Sequence, residues 1–155
     1  MRFEFLFLGK TKEAYLAAGI ADYAKRLARY IATDIKTLKE KKIKKGESEN
    51  VLLEENSEIL LQNAQGSYLV CLDRTGTQMD SLELAAQVER WEMQGQKKIT
   101  FIIGGPLGLS PAILKKADLI LSFSPMTFTH EMTRLILLEQ LYRAFTIKAG
   151  EKYHK

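Results

Sequence analysis

The sequence predicts an α/β fold, a parallel-type sheet covered by helices, on three observations. Strand-like and helix-like segments alternate five times from end to end. The strands near the middle are apolar on both faces, which a sheet needs only when helices cover it above and below. The 155 residues, 46% apolar and 27% charged, suit one globular core and not a disordered chain. A single domain over residues 1–155 is expected.

The elements follow in order. "RFEFLFL", Arg2 to Leu8, reads as a first strand stopped by Gly9. "KEAYLAAGIADYAKRLARY" reads as a helix, because Tyr15, Leu16, Ala18, Ile20, Tyr23 and Leu27 form an apolar stripe at helical spacing. "TDIKTL" is a weak strand, placed at an edge, that leads into a lysine-rich loop. Ser48 is a plausible N-cap for the helix "ENVLLEENSEILLQNA", and Gly66 then precedes the buried-type strand "SYLVCLD". Asp80 and Glu83 have the spacing of a capping box for the next helix, which Gly95 can close. "KITFII" is the next strand. Ser110, with Pro111 at N1, starts the short helix "PAILKKA"; "DLILSF" is a fifth strand, and "THEMTRLILLEQLYRAFTIKAG" the closing helix.

That last helix is apolar around most of its circumference, with Met132, Leu135, Ile136, Leu137, Leu138, Leu141, Tyr142, Phe145 and Ile147. One sheet face cannot cover so much. Either the helix is sandwiched within the domain or its second face packs on another subunit, and the shortness of the chain favours the subunit.

Composition excludes several classes. No apolar run reaches the length of a membrane span, and "MRFEFLFLGK" is too short and too interrupted by Glu4 for a secretory signal, so a cytoplasmic protein without a membrane partner is expected. One cysteine, Cys71, and two histidines supply no zinc-type ligand set, so no metal is expected. The formal net charge is +4, and its uneven part is "KTLKEKKIKK", with six lysines against one glutamate. Such a patch is either a solvated loop or a seat for a phosphate backbone. The lone Trp91, on an amphipathic helix, reads as core and not as a base-stacking platform.

Ligands of parallel sheets sit at the carboxyl ends of strands. Three loops fall there: "LDRTG", "FIIGGPLGLSP" and "SFSPMTF". The glycine loop matches neither G-x-G-x-x-G nor G-x-x-x-x-G-K-[ST], which disfavours an ATP-type site. It is either a tight strand-to-helix turn or a place of close backbone approach. "SFSPMTF" offers hydroxyls and backbone polar groups beside apolar walls, which suits a flat heteroaromatic ring such as adenine better than a phosphate.

"IIGGPLGLSP", "CLDRTGTQMDSLELAAQVERW" and "LSFSPMTFTHEMTRLILLEQLYRAFTIKAGEKYHK" resemble the bacterial large-subunit ribosomal RNA methyltransferases that modify pseudouridine at N3, a family of the SPOUT class. The resemblance covers essentially the whole chain. It implies a C-terminal deep trefoil knot, which periodicity does not reveal because chain threading is a rare exception to topology rules. It also implies a homodimer, S-adenosylmethionine as methyl donor, and large-subunit ribosomal RNA, in the assembled ribosome, as partner. Carried over by position, Leu72, Gly104, Phe123, Ser124, Pro125, Met126, Thr127 and Phe128 match the family's cofactor contacts, with Gly105 and Gly108 in the same glycine loop.

Methyl transfer chiefly needs positioning of a nitrogen nucleophile in line with the methyl carbon, and loss of the imide proton. His130 starts the last helix, whose dipole disfavours imidazolium, so it is either a neutral base or hydrogen-bond donor, or a helix-end residue. Tyr153 and His154 form a tail that resembles the family's Tyr-His terminus at the substrate mouth, with Lys152 where the family often has proline. Arg134 and Arg143 match recurring arginines of the family; on an apolar helix each needs an anion, either Glu139 or RNA phosphate. Candidate catalytic residues are therefore His154, Tyr153, His130 and Arg134. Lys36, Lys39, Lys41, Lys42, Lys44 and Lys45 are candidates for the RNA surface. The alternatives are a methyltransferase of the same class acting on another RNA such as transfer RNA, and a non-enzymatic ribosome-binding factor.

Overall fold

The structure, a computed structural model, describes residues 1–154. Its elements are β1 (Arg2–Leu8), α1 (Ala14–Leu27), β2 (Ala32–Leu38), α2 (Glu49–Asn63), β3 (Tyr68–Gln78), α3 (Ser81–Met93), β4 (Lys98–Ile103), α4 (Pro111–Lys116), β5 (Leu119–Ser122) and α5 (His130–Lys148). The strands form one parallel sheet in the order β2-β1-β4-β3-β5. β2 is an edge strand, in keeping with its weak alternating pattern.

The helix starts follow local chemistry. Ser48, Ser110 and Thr129 each accept a backbone N–H of the first turn through the side-chain oxygen. Asp80 and Glu83 form a reciprocal capping box. Each cap contributes about 1 kcal/mol.

Side chains of β1 alternate between two cores. Phe3, Phe5 and Phe7 enter the cluster under α1, α3 and α5, where Trp91 and Phe101 also lie. Phe5 stacks on Phe101 at 5.1 Å, and Trp91 meets Phe101 edge-on at 5.9 Å. Leu6 and Leu8 face the opposite cluster with Cys71, Ile102 and Ile113, near α2 and α4. Burying each large side chain stabilises the fold by about 2–3 kcal/mol.

Glu4 also points to this second face, where it is almost fully buried. Lys36 Nζ lies 2.5 Å from its carboxylate, Lys98 Nζ 3.5 Å, and Thr100 Oγ1 donates at 3.1 Å. Burial alone would raise the Glu4 pKa, but these partners outweigh it and hold the carboxyl below its usual range. Lys36, read from sequence as part of an RNA surface, is therefore tied to the sheet.

α5 lies between α1 and α3, and none of its residues is exposed. Gly19 lets α1 approach so closely that a Cβ there would sit 2.9 Å from Leu135 Cδ1. Sandwiching within the chain thus covers part of the all-round apolar character of α5, and Leu135, Tyr142 and Ile147 remain only half-buried. Met132 and Ile136 stay half-buried.

β3 runs further than the sequence suggests. Leu72 and Thr77 both pair with Leu121, so the residues between them bulge out, and β5 is paired on either side of that bulge. Gly76 packs its backbone on that of Ile120. Among the described residues, no helix is long and apolar enough to cross a membrane.

Candidate active site

At the carboxyl ends of β3, β4 and β5 lies a cavity of about 640 Å³. Its size suits a nucleoside-sized ligand. Nine of the ten residues assigned from sequence to a cofactor line it: Leu72, Gly104, Gly105, Gly108, Phe123, Ser124, Met126, Thr127 and Phe128. Pro125 belongs to the same loop but does not line the cavity, which corrects that assignment. Of the other lining residues only His130 is a candidate from the sequence; Asp73, Arg74, Ile103, Pro106, Leu107, Leu121, Thr129 and Thr133 complete the wall without having been one. Most of them lie in or beside a loop already noted, whereas Thr133 lies within α5 and carries no such signal.

The glycine loop is shaped by its own backbone. Gly105 and Gly108 bridge, with Gly108 N–H donating to Gly105 O at 2.9 Å, and Gly108 has φ +78° in open space. A Cβ on Gly104 would collide with the Gly108 carbonyl, and one on Gly105 would lie 2.9 Å from Glu40 Oε1. A residue larger than glycine at position 104 therefore breaks the turn before it can crowd a ligand.

The opposite wall is tied down by hydroxyls. Ser122 Oγ lies 3.1 Å from both Arg74 O and Ser124 O, joining the bulge of β3 to the end of β5. Ser124 Oγ accepts from Met126 N at 3.0 Å. Met126 is 74% exposed, so its thioether stands free at the cavity mouth. Apolar walls from Leu72, Ile103, Leu121 and Phe123, edged by backbone polar groups, fit an adenine-like ring and an alkyl-sulfonium chain. Among the described residues no group of three or more His, Cys, Asp or Glu is placed to hold a metal ion.

His130 lines the cavity at the first turn of α5. Burial pushes its pKa down, the Arg134 guanidinium pushes it further, and Glu131, 4.0 Å away, opposes. It is thus held neutral at pH 7. Glu131 accepts Lys12 N–H at 2.9 Å and Glu13 N–H at 3.1 Å, and these bonds keep its carboxyl below the usual range.

Arg134 does not reach the cavity. It is fully buried, donates to Leu8 O at 2.7 Å and Thr11 Oγ1 at 3.0 Å, and lies 4.8 Å from the Phe7 ring centroid. A guanidinium so placed is closed to an RNA phosphate and does not line the cavity, which corrects the catalytic assignment of Arg134. Arg143 pairs with Glu139 at 2.5 Å.

The tail is held elsewhere. Tyr153 Oη lies 3.1 Å from Tyr23 Oη and donates to Glu139 Oε1 at 3.0 Å, with Arg143 over its ring at 4.6 Å. Burial, Tyr23 and Glu139 raise the Tyr153 pKa. His154 Nδ1 is buried without a partner among the described residues. Glu139 lies nine residues along α5 from His130, about 13 Å of helix rise. Within one chain, the structure therefore does not bring Tyr153 and His154 together with His130.

The lysine loop lies beside the site. Glu40, hidden in the lysine run, sets its carboxylate against Gly9 and Gly105. Lys41 is paired with Glu55 at 3.2 Å, while Lys39, Lys42, Lys44 and Lys45 are exposed without ion pairs among the described residues.

Comparison with known proteins agrees with this architecture. Residues 1–154 match the family model described as "Predicted SPOUT methyltransferase". The chain is 51% identical over 156 residues to "Ribosomal RNA large subunit methyltransferase H" of Desulfotalea psychrophila, covering 100% of both chains. The tRNA (m1G37) methyltransferase of Aquifex aeolicus shares the fold, with a TM-score of 0.54 at 12% identity over 92% of this chain and 70% of that one. A Legionella pneumophila protein solved with the bound cofactor SAM aligns with a TM-score of 0.50 at 13% identity, over 93% and 66% of the two chains. The fold is the α/β knot of this class, and by sequence over nearly its whole length the chain belongs to the SPOUT methyltransferase family.

Proposed function

We propose that this chain is an S-adenosylmethionine-dependent methyltransferase that acts on N3 of a pseudouridine in large-subunit ribosomal RNA, on the assembled ribosome in the cytoplasm. Residues 1–155 act as one domain and pair as a homodimer. The observation that carries this reading is the cavity of about 640 Å³ at three strand ends, walled by the glycine loop and by Phe123–Phe128, in a chain of the SPOUT methyltransferase family. Kinship to a large-subunit ribosomal RNA methyltransferase at 51% identity supports the choice of RNA.

The residues divide the work. Leu72, Phe123 and the backbone of Gly104 to Gly108 hold the adenosine, and the exposed Met126 and Phe128 close the mouth against water. When bound, S-adenosylmethionine would supply an electrophilic methyl carbon for the deprotonated N3, with its sulfur as the leaving group. The imide proton leaves to His154, to water, or to the substrate's own surroundings. His130, neutral at pH 7, adds no charge that would repel a sulfonium.

A homodimer accounts for the separation between the tail and the cavity: Tyr153 and His154 of one copy close the cavity of the other. The half-buried Met132 and Ile136, with exposed Leu107, Met126 and Phe128 at the mouth, offer apolar surface for that contact.

The test incubates the protein with labelled S-adenosylmethionine and undermodified ribosomes, then locates the methyl group by mass spectrometry of digested RNA. A methyl on N3 of a large-subunit pseudouridine is expected, and its loss in Met126→Arg, which sets a cation beside the sulfonium. Label found only on transfer RNA, or none on any RNA, overturns the reading.

A further inference from the structure

Two buried charged residues of α5 hold the loop between β1 and α1. Arg134 donates to Leu8 O and Thr11 Oγ1, and Glu131 accepts the N–H groups of Lys12 and Glu13. Both are almost fully buried, and burying charge is costly unless its hydrogen bonds are well made. No ordinary helix start requires this. α1 has no side-chain cap of its own, and Glu131 instead accepts the N–H groups of Lys12 and Glu13, the two residues just ahead of the helix. What the arrangement adds is a fixed distance: residues 9–13 are bolted to the same first turn of α5 that carries His130 into the cavity wall.

The loop so fixed is "GKTKE", and it presents two cations. Lys10 and Lys12 are exposed, and neither has an ion-pair partner among the described residues. Glu40 lies on the other side of Gly9, tying the lysine loop to the same rim. The free lysines 39, 42, 44 and 45 therefore continue the line of charge at the ends of β2 and β1, alongside the cavity.

Resting on the RNA methyltransferase reading, we infer that Lys10 and Lys12 are RNA-backbone contacts that seat the target nucleotide at the cavity, held in register by Arg134 and Glu131 as positioning residues. A mobile lysine loop would give affinity without register, whereas cations fastened to the His130 turn fix where the phosphates lie relative to the methyl donor. The ligand chemistry is the phosphodiester backbone flanking the modified base.

The experiment measures methylation of undermodified large subunits or ribosomes by the full-length protein at several salt concentrations, for wild type and for Lys10→Gln/Lys12→Gln. The double variant is expected to raise the KM for ribosomes by about tenfold, to lower the slope of log KM against log salt by about 2, and to leave S-adenosylmethionine affinity unchanged. Lys10→Arg/Lys12→Arg should retain wild-type KM, and Lys25→Gln, on the far part of α1, should change nothing. An unchanged KM and salt slope in the double glutamine variant, with wild type active, overturns this inference alone. Inactive wild type on every RNA overturns the underlying reading instead.

Discussion

Gly76 lies against the carbonyl of Ile120 so closely that a Cβ at position 76 would stand 2.5 Å from that oxygen. Backbone meets backbone there, and neither partner can swing aside as a side-chain end would. β5 is hydrogen-bonded to β3 on both sides of this crossing, through Leu72 and through Thr77 and Gln78. Gly76→Ala should therefore cost more than about 2 kcal/mol, measured as a lowered urea midpoint, because overpacking against main chain cannot relax by rotamer change. A variant as stable as wild type would show that the crossing yields easily.

Gly104 and Gly108 should respond differently to alanine. At Gly108 the space is open and only φ +78° is at issue, so Gly108→Ala should cost about 1 kcal/mol. At Gly104 the new methyl must displace the Gly108 carbonyl, so Gly104→Ala should cost more and should also weaken S-adenosylmethionine binding. Calorimetric titration beside thermal unfolding of both variants checks the order; equal losses would count against it.

The Glu4 cluster should make the fold acid-sensitive. Its carboxyl is held below the ordinary value by Lys36, Lys98 and Thr100 against the opposing effect of burial. A depressed carboxyl pKa contributes stability above the unfolded value near 4.5 and loses it as pH falls through the folded one. Glu4→Gln should be destabilised by about 1–3 kcal/mol at pH 7, with the gap to wild type closing below about pH 4. A gap that persists at pH 3 would mean that packing, not charge, is what glutamate supplies.

His130 has the opposite pH arithmetic from a histidine that gains an acidic partner. Its pKa lies below 6.5, by burial and then by Arg134, so the unfolded chain binds its proton more readily than the native one. Its contribution to stability is complete above about pH 6.5 and is eroded as pH falls below that value. Protonation also sets a cation in the cavity wall, so affinity for S-adenosylmethionine should weaken as pH falls below 6.5. Titrations between pH 5 and 8 should show this fall in wild type and a flatter profile in His130→Gln. Parallel profiles would assign the titration to another group.

If the tail of one copy serves the cavity of the other, two inactive variants should complement. Met126→Arg disables a cavity and His154→Ala a tail. Mixed in equal amounts and allowed to exchange, they should recover about a quarter of wild-type activity, since half the dimers are mixed and one of their two sites is whole. Recovery indistinguishable from zero, with exchange verified, would place the tail's action within its own chain.

Most of the architecture was legible because it rests on local rules. Ser48, Asp80 and Ser110 cap helices where short polar side chains precede apolar periodicity. Doubly apolar strands required a covered parallel sheet, and that sheet sets three loops at one edge. The cavity wall from Gly104 to Gly108 and from Phe123 to Phe128 was legible for the same reason, since glycine, proline and hydroxyl residues cluster where a chain leaves a strand.

What the sequence determined alone was the order of elements and the edge at which three strand-end loops gather, because these depend on neighbours a few positions apart. Tertiary structure alone decided the partners of charge. Arg134 serves the carbonyl of Leu8 and the hydroxyl of Thr11, not a phosphate; Lys36 serves Glu4; and Tyr153 reaches Glu139 and Tyr23 on its own chain, away from His130. A polar or charged side chain takes whichever partner folding brings within about 3 Å, and here the separations run from 14 residues for Tyr153–Glu139 to 130 for Tyr153–Tyr23, which no local pattern records.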